Sequence, residues 1–514
     1  MSLPKVEFGK LRAFFWPVYR QEISKLLPMM LMMFLICFNY SILRNLKDAV
    51  VITAQSSGAE VLPFIKVWVL LPMAILITLL FTKLSNRFSQ ERVFYIIISS
   101  FLIFFALFTF VLFPLKEYLH PHQFCDHLQA ILPAGFKGLI AMFRNWSFTI
   151  FYVICELWGS MVLGVIFWGF ANEVTRITEA RRFYSMLGVI ASFAAVIAGV
   201  MANFLTYDES WELTLNLLVL VVIFSGIITM VTFRWMTVHV LSGPDFKDFH
   251  EAKSVQKAKK KLSIWESFTY LSNSKYLISI AVLVVSYNLV INLIEIVWKD
   301  QLSQLYSSAV EYNRYMSTMT SAVGVIATLT SLFMSQIISR FGWTRTALIT
   351  PLIMLVTSVG FFAFMLFRHD LAEPVFALTG TTPLVIAVFF GASQVCLSKA
   401  CKYSVFDSTK EMAFIPLSHE CKLQGKAAID GVGSRLGKSG GSLIHQSLLM
   451  VFATVSSSAP YVAVILMAVI IGWMIAVRAL GRQFISIIGE QGRQEIGEST
   501  KEDAASSLMQ PAKA

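Results

Sequence analysis

The chain has 514 residues, of which 56% are hydrophobic and only 14% charged, with 43 Phe and 22 Met. Soluble folds carry about a quarter charged residues, so the composition excludes a water-soluble fold and identifies a polytopic membrane protein. The formal charge is +11, and the cationic residues fall mostly in segments between apolar runs, none long enough for an independent soluble domain.

In chain order, residues 1–25 have too short an apolar core, and no small-residue site, for a cleaved signal. They also lack the Ser and Arg richness of a transit peptide. They read as an amphipathic arm on the cytoplasmic membrane surface, with Phe14, Phe15 and Trp16 toward lipid. About 20 apolar residues cross a hydrocarbon core. That window finds spans near 26–46, 61–81, 93–113, 148–170, 183–206 and 213–235 in an N-terminal half, 26–235. Further spans near 276–297, 314–338, 347–367, 382–403, 424–450 and 460–480 make a C-terminal half, 276–480. Between them, 236–275 is a basic cytoplasmic linker whose QKAKKKLS run suits anionic head groups. The polar tail, 481–514, is expected to be disordered and cytoplasmic. Cys37, Cys125, Cys155, Cys396, Cys401 and Cys421 show no paired spacing and read as free thiols.

Lys and Arg are several-fold more frequent in the segments assigned to the inside than in the outer ones, which places both termini in the cytoplasm. The halves repeat weakly. RFSQER (87–92), between spans 2 and 3, is answered by RFGWTR (340–345), between spans 8 and 9, and Lys47-Asp48 after span 1 by Lys299-Asp300 after span 7. The fold class that follows is all-α: twelve transmembrane helices in two six-helix halves, major-facilitator-like, with a substrate site expected near the bilayer midplane.

The informative residues are the charges left inside the spans. A charge at the bilayer centre costs at least about 2.5 kcal/mol. Arg234, Arg314, Arg478 and Lys402 lie near span ends and can snorkel, and Lys399 is intermediate. Arg44, Lys66, Lys426, Arg435 and Lys438 need another reason, as do the acids Glu156, Glu295 and Asp430. Asn288, Asn292 and Glu295 share one helical face, either as part of a polar cavity or as an interhelical hydrogen-bond ladder. Glu156 lies deep in its span with Tyr152 one turn before it, so it needs a cationic or protonic partner. Lys426, Asp430, Ser434 and Lys438 recur every four residues on one face. The balance of these charges is positive and fits a polyanion. Lys supplies point charges and Arg a bidentate fork, both suited to phosphate, and aromatics such as Tyr152 and Phe183 could stack a base.

The stretch DGVGSRLGKSGGS (430–442) resembles a phosphate-binding P-loop but misses it. The glycine needed five positions before Gly437-Lys438 falls on Val432, and the context is a membrane span rather than a strand and helix. In the outer loop, His120, His122, Cys125 and His127 in HPHQFCDH are too irregularly spaced for a metal site and read as an ordinary polar loop.

Several segments together resemble the ATP/ADP translocases of plastids and obligate intracellular bacteria such as chlamydiae and rickettsiae. They are ILRNLKDAVVITA (42–54), EVLPFIKVWVLLPMA (60–74), CELWGSMVLGVIFWGFANEVT (155–175), EARRFYSMLG (179–188), NLIEIVWK (292–299) and KYSVFDSTKEMAFIPLSHECKLQGKAAIDGVGSRLGKSGGS (402–442). The resemblance covers nearly the whole chain and is strongest to chlamydial exchangers. It implies an antiporter that imports host ATP in exchange for ADP, with no enzymatic activity and no cofactor. It also implies functional residues at Lys66, Glu156, Glu295 and Lys438, four charges already singled out by their cost. ATP and ADP are the expected partners, with phosphate as a further candidate. The bilayer is the other partner, nucleic acid is not expected, and a monomer is. A bacterial cytoplasmic membrane is the expected location. Arg44, Asn288, Asn292, Arg435 and Tyr152 complete the expected substrate-binding set. Proton-coupled nucleotide uptake, which also occurs in the family, is the alternative.

Overall fold

The computed structural model of the chain describes residues 18–175, 177–207, 210–241, 274–417, 425, 429 and 433–508. The aromatic arm residues Phe14, Phe15 and Trp16, the QKAKKKLS linker, Cys421, Lys426 and Asp430 lie outside the described residues. Regular structure among the described residues is entirely helical. This is what hydrocarbon requires of an open chain, because each backbone N–H and C=O must be satisfied within its own segment.

The long helices are α1 (Ile23–Ile52), α2 (Val61–Arg87), α3 (Gln90–Leu112), α4 (Trp146–Val174), α5 (Ile177–Phe204) and α6 (Trp211–His239). They continue as α7 (Lys275–Leu305), α8 (309–341), α9 (Gly342–Leu366), α10 (Pro383–Cys401), α11 (Ser434–Phe452) and α12 (Val455–Leu508). Ten of them, among the described residues, are long and apolar enough to cross a membrane, against the twelve spans expected. The two outside that set are α8, which opens with Glu311, Arg314 and a run of Ser and Thr, and α11, which carries Arg435 and Lys438 among glycines. At the C-terminus, α12 continues as helix to Leu508, where the polar composition predicts disorder.

The repeated RFS and RFG motifs break the chain at equivalent positions. Ser89 (φ −60°, ψ 152°) is extended ahead of α3. Gly342 (φ 74°, ψ 168°) kinks the chain between α8 and α9, a left-handed conformation that costs glycine nothing.

Two compact units account for the packing. The first takes Met1–Lys260 together with Ile296–Leu329 and His445–Ser458. Its centre is α1, which packs against α4, α5 and α6 and satisfies its buried polar groups there. Asn39 donates to the Val222 carbonyl at 3.0 Å and accepts from Ser225, and Trp158 donates to the Ile36 carbonyl at 3.2 Å. Stacked rings fill the rest, Phe94 on Phe233 at 3.8 Å and Phe108 on Phe151 at 4.0 Å. Helices α5 and α8 meet backbone to backbone: a Cβ at Gly324 would stand 2.7 Å from the Ser192 carbonyl oxygen. Small residues allow such approach between membrane helices.

The second unit takes Lys261–Glu295, Thr330–Ile444 and Ala459–Ala514. Tyr287 of α7 anchors it, stacked on Phe406 at 4.5 Å and edge-on to Trp473, with its hydroxyl donating to the Ser398 carbonyl at 3.2 Å. Ser358 of α9 donates to Gln394 of α10 at 3.0 Å.

Candidate functional site

Two of the expected residues sit where the helical backbone loosens. Lys66 lies in a π-helical stretch of α2, Ile65–Leu70, between Pro63 and Pro72, whose missing N–H groups leave the α-helical ladder incomplete. Glu156 precedes a second π-helical stretch in α4, Trp158–Phe167, which contains Gly159 and Gly164. Such π-turns occur frequently at functional sites.

Helices α1 and α4 meet along a seam whose contacts run in opposite directions. Tyr40, Arg44 and Lys47 share one face of α1 and Tyr152, Glu156 and Gly159 one face of α4, each set spaced i, i+4 and i+7 or its reverse. The Tyr40 ring lies against Gly159, Arg44 interacts electrostatically with Glu156, and the Lys47 ammonium stands 3.9 Å over the Tyr152 ring. Lys47 is also 3.6 Å from the Glu156 carboxylate. Lys66 adds a third cation acting on Glu156. The seam thus gathers three cations around one partly exposed carboxylate, in a partly buried setting where Coulomb interactions are stronger than in water. Its surplus positive charge is what a polyphosphate would neutralise.

Behind the seam the charges continue. Lys47 Nζ is 3.0 Å from Asp48 Oδ1, and Lys299 Nζ is 2.8 Å from Asp48 Oδ2. Asp48 is completely buried, with Lys47 and Lys299 at 3% and 2% exposure, so each charge depends on its neighbours for solvation. This corrects the placement of Lys47-Asp48 and Lys299-Asp300 in loops. Helices α1 and α7 have 30 and 31 residues, and both dipeptides lie within them. Asp300 takes a separate set of partners: Ser456 at 2.8 Å and Gln301 and Gln304 at 3.0 Å.

The two aromatics considered as base platforms are otherwise engaged. Tyr152 is 1% exposed beneath Lys47. Phe183 is fully buried in a cluster with Val18 and Leu26, with Lys25 over its ring.

In the second unit, the polar stripe of α7 meets the glycines of α11. A Cβ at Gly437 would stand 2.7 Å from Asn288 Cβ, and one at Gly441 3.0 Å from Asn292 Cβ. Ser442 Oγ donates to Asn292 Oδ1 at 3.3 Å, and Asn288 donates to its own helix at Val284 O, 2.8 Å away. Asn288 and Asn292 therefore serve an interhelical contact. Glu295 is half-buried, whereas Arg435 and Lys438 are exposed on α11.

Around the α3–α4 connection, the histidine-rich segment is divided among separate contacts. His120 Nε2 is 2.7 Å from Ser147 Oγ, Cys125 is buried, and Arg144 pairs with Asp126 at 2.6 Å. Burial, reinforced by the charge of neighbouring His122, pushes the His120 imidazole down to about 4.

Sequence reading missed Lys47, Asp48, Lys299 and Tyr40. The signal available for the first three was the Lys-Asp dipeptide recurring at matched positions of the two halves. For Tyr40 it was the i, i+4 spacing to Arg44.

Comparison with known proteins places these observations. The TLC ATP/ADP transporter profile matches residues 1–484. The chain is 46% identical to ADP,ATP carrier protein 1 of Chlamydia muridarum, over 96% of this chain and 94% of that protein. It is 45% identical to the Chlamydia pneumoniae protein of the same name, over 97% and 98%. Against the chloroplastic ADP,ATP carrier protein 1 of Arabidopsis thaliana, identity is 41% over 91% and 75%. Among solved structures, a D-xylose–proton symporter is similar at TM-score 0.52 and 14% identity, over 83% of this chain and 90% of that one. A nucleoside transporter is similar at TM-score 0.51 and 13% identity, over 90% and 99%. These structural likenesses concern the fold, which is major-facilitator-like.

Proposed function

This chain belongs to the TLC ATP/ADP transporter family, and on that premise we propose that it is an antiporter importing ATP in exchange for ADP by alternating access. The observation that carries the reading is Glu156 set among Arg44, Lys47 and Lys66. These cations converge on Glu156 when no substrate is present, with Lys47 also held by Asp48. An arriving polyphosphate offers them several more oxygens, and with Arg the geometry is bidentate. The empty seam keeps its cations tied to Glu156, which holds the unloaded carrier still. The loaded seam exchanges that tie for phosphate and is free to reorient. Strict exchange follows from this difference.

In the second unit, Lys438 and Glu295 supply charges of the same two kinds, with Lys438 as a phosphate contact. Arg435 lies one turn from Lys438 and adds to the positive potential of α11. The protein works as a monomer in a bacterial cytoplasmic membrane with both termini in the cytoplasm, crosses it twelve times, and performs no chemistry on the nucleotide. Phosphate is a further candidate substrate.

The test is uptake of labelled ATP into proteoliposomes loaded with ADP, with phosphate, or with nothing, at equal pH on both sides. Uptake confined to ADP-loaded vesicles is the expected result. Equal uptake into empty vesicles would overturn antiport and bring proton-coupled uptake forward.

A further inference from the structure

We propose that Tyr40 is the nucleobase platform of this transporter, stacking the base while Arg44 and its neighbours hold the phosphates. The inference rests on the nucleotide-exchange reading and names the part of the site that reads the base.

The starting point is the burial pattern of α1. From Leu35 to Ile52 every residue is buried except Tyr40 and Arg44. They stand one turn apart, so both point toward the one opening this part of the helix offers. Across that opening lie Glu156 and Gly159 of α4, neither of them fully buried.

Gly159 explains the ring's position. A Cβ there would run into the edge of the Tyr40 ring, with Cδ2 at 2.9 Å and Cζ at 3.0 Å. A glycine lets the aromatic approach α4 this closely, and the ring keeps partial exposure. An aromatic held beside a glycine and partly open can receive a base, since every base has a π-face. From Tyr40 to Lys47 the helix rises about 10 Å, the length scale of a nucleotide laid along the seam with its base at Tyr40 and its phosphates toward Arg44, Lys66 and Lys47. No other aromatic of the seam offers this, because the Tyr152 ring is covered by Lys47.

The experiment compares wild type, Tyr40→Phe and Tyr40→Leu, using ATP and inorganic tripolyphosphate as probes. Binding is read in detergent as ligand-induced thermal stabilisation, and transport as ATP uptake into ADP-loaded proteoliposomes. Tyr40→Phe keeps the ring and is expected to keep the wild-type KM. Tyr40→Leu is expected to raise the KM and apparent Kd for ATP about tenfold, the order of one base–aromatic stack, with tripolyphosphate binding unchanged. The proposal is overturned if Tyr40→Leu binds ATP as wild type does, or if ATP and tripolyphosphate weaken together, which would make the ring a support for the cations. Wild type that binds ATP yet fails to exchange it would instead overturn the antiport reading and leave the platform test standing.

Discussion

In the first unit α1 meets α4 through charged and aromatic side chains, whereas in the second unit α7 meets α11 through Asn, Ser and glycine. The first seam fixes its charges against one another, with Lys47 and Asp48 almost without exposure. The second satisfies its polar contacts with neutral groups and leaves Arg435 and Lys438 exposed. Helix geometry is the same in both, so the difference lies in what solvates the charge. Buried cations are solvated by carboxylates and a tyrosine ring, and removing a partner disturbs folding as well as binding. Arg435 and Lys438 are exposed, so a ligand can reach them without breaking a buried pair.

The largest effect should come from Asp48→Asn, which leaves Lys47 and Lys299 buried without their shared carboxylate. Breaking a buried pair in this way costs about 3–5 kcal/mol, read as a fall in thermal stability of the detergent-purified protein. Adding Lys299→Gln should recover part of the loss, and an unchanged melting temperature for Asp48→Asn would mean that the buried chain holds nothing together.

Lys438→Gln should do the reverse. An exposed side chain away from a cap or core changes stability by about 0.5 kcal/mol or less. Loss of one charged phosphate contact, about 1.5–3 kcal/mol, should raise the KM for ATP some ten- to hundredfold. A variant that is as unstable as Asp48→Asn would erase the contrast between the seams.

Two glycines of α11 sharpen it further. Gly437→Ala places a methyl 2.7 Å from both Asn288 Cβ and the Val285 carbonyl, overpacking worth about 1–3 kcal/mol. Gly440→Ala meets nothing within 4 Å and should be neutral or gain about 0.5–1 kcal/mol from its better helix propensity. Equal melting temperatures for the pair would contradict the close approach of α7 and α11.

Near neutral pH the smallest effect belongs to His120. The unfolded chain takes up its proton near the ordinary value of 6.5, the folded protein only near 4. Stability is therefore full above pH 6.5 and declines as the pH falls below it, by about 1.4 kcal/mol on reaching about pH 5.5. His120→Gln, which keeps a partner for Ser147, should flatten that slope, and an unaltered slope would assign the pH dependence to other groups.

Hydropathy was enough to read the helical architecture, and the energetic cost of burial singled out eight charges within the spans, from which the family resemblance selected Lys66, Glu156, Glu295 and Lys438. Lys47, Asp48 and Lys299 were illegible for a physical reason. A window of hydropathy treats charges at the edge of an apolar run as the start of water, and cannot distinguish that from charges neutralised by another helix. Asn288 and Asn292 were legible as a polar face, but the glycines that receive them stand some 150 residues away in sequence. Tyr40 counts as apolar in any such window, and its importance depends on Gly159 lying opposite.

The π-helical stretches in α2 and α4 have a consequence for movement. Each packs an extra residue into a turn, so an N–H there has two carbonyls in reach, four and five residues back. A bond can pass from one to the other while the backbone stays paired. In a medium where no water replaces a broken hydrogen bond, this gives Lys66 and the residues following Glu156 a way to rotate about their helix axes in small steps, without any part of the helix unwinding.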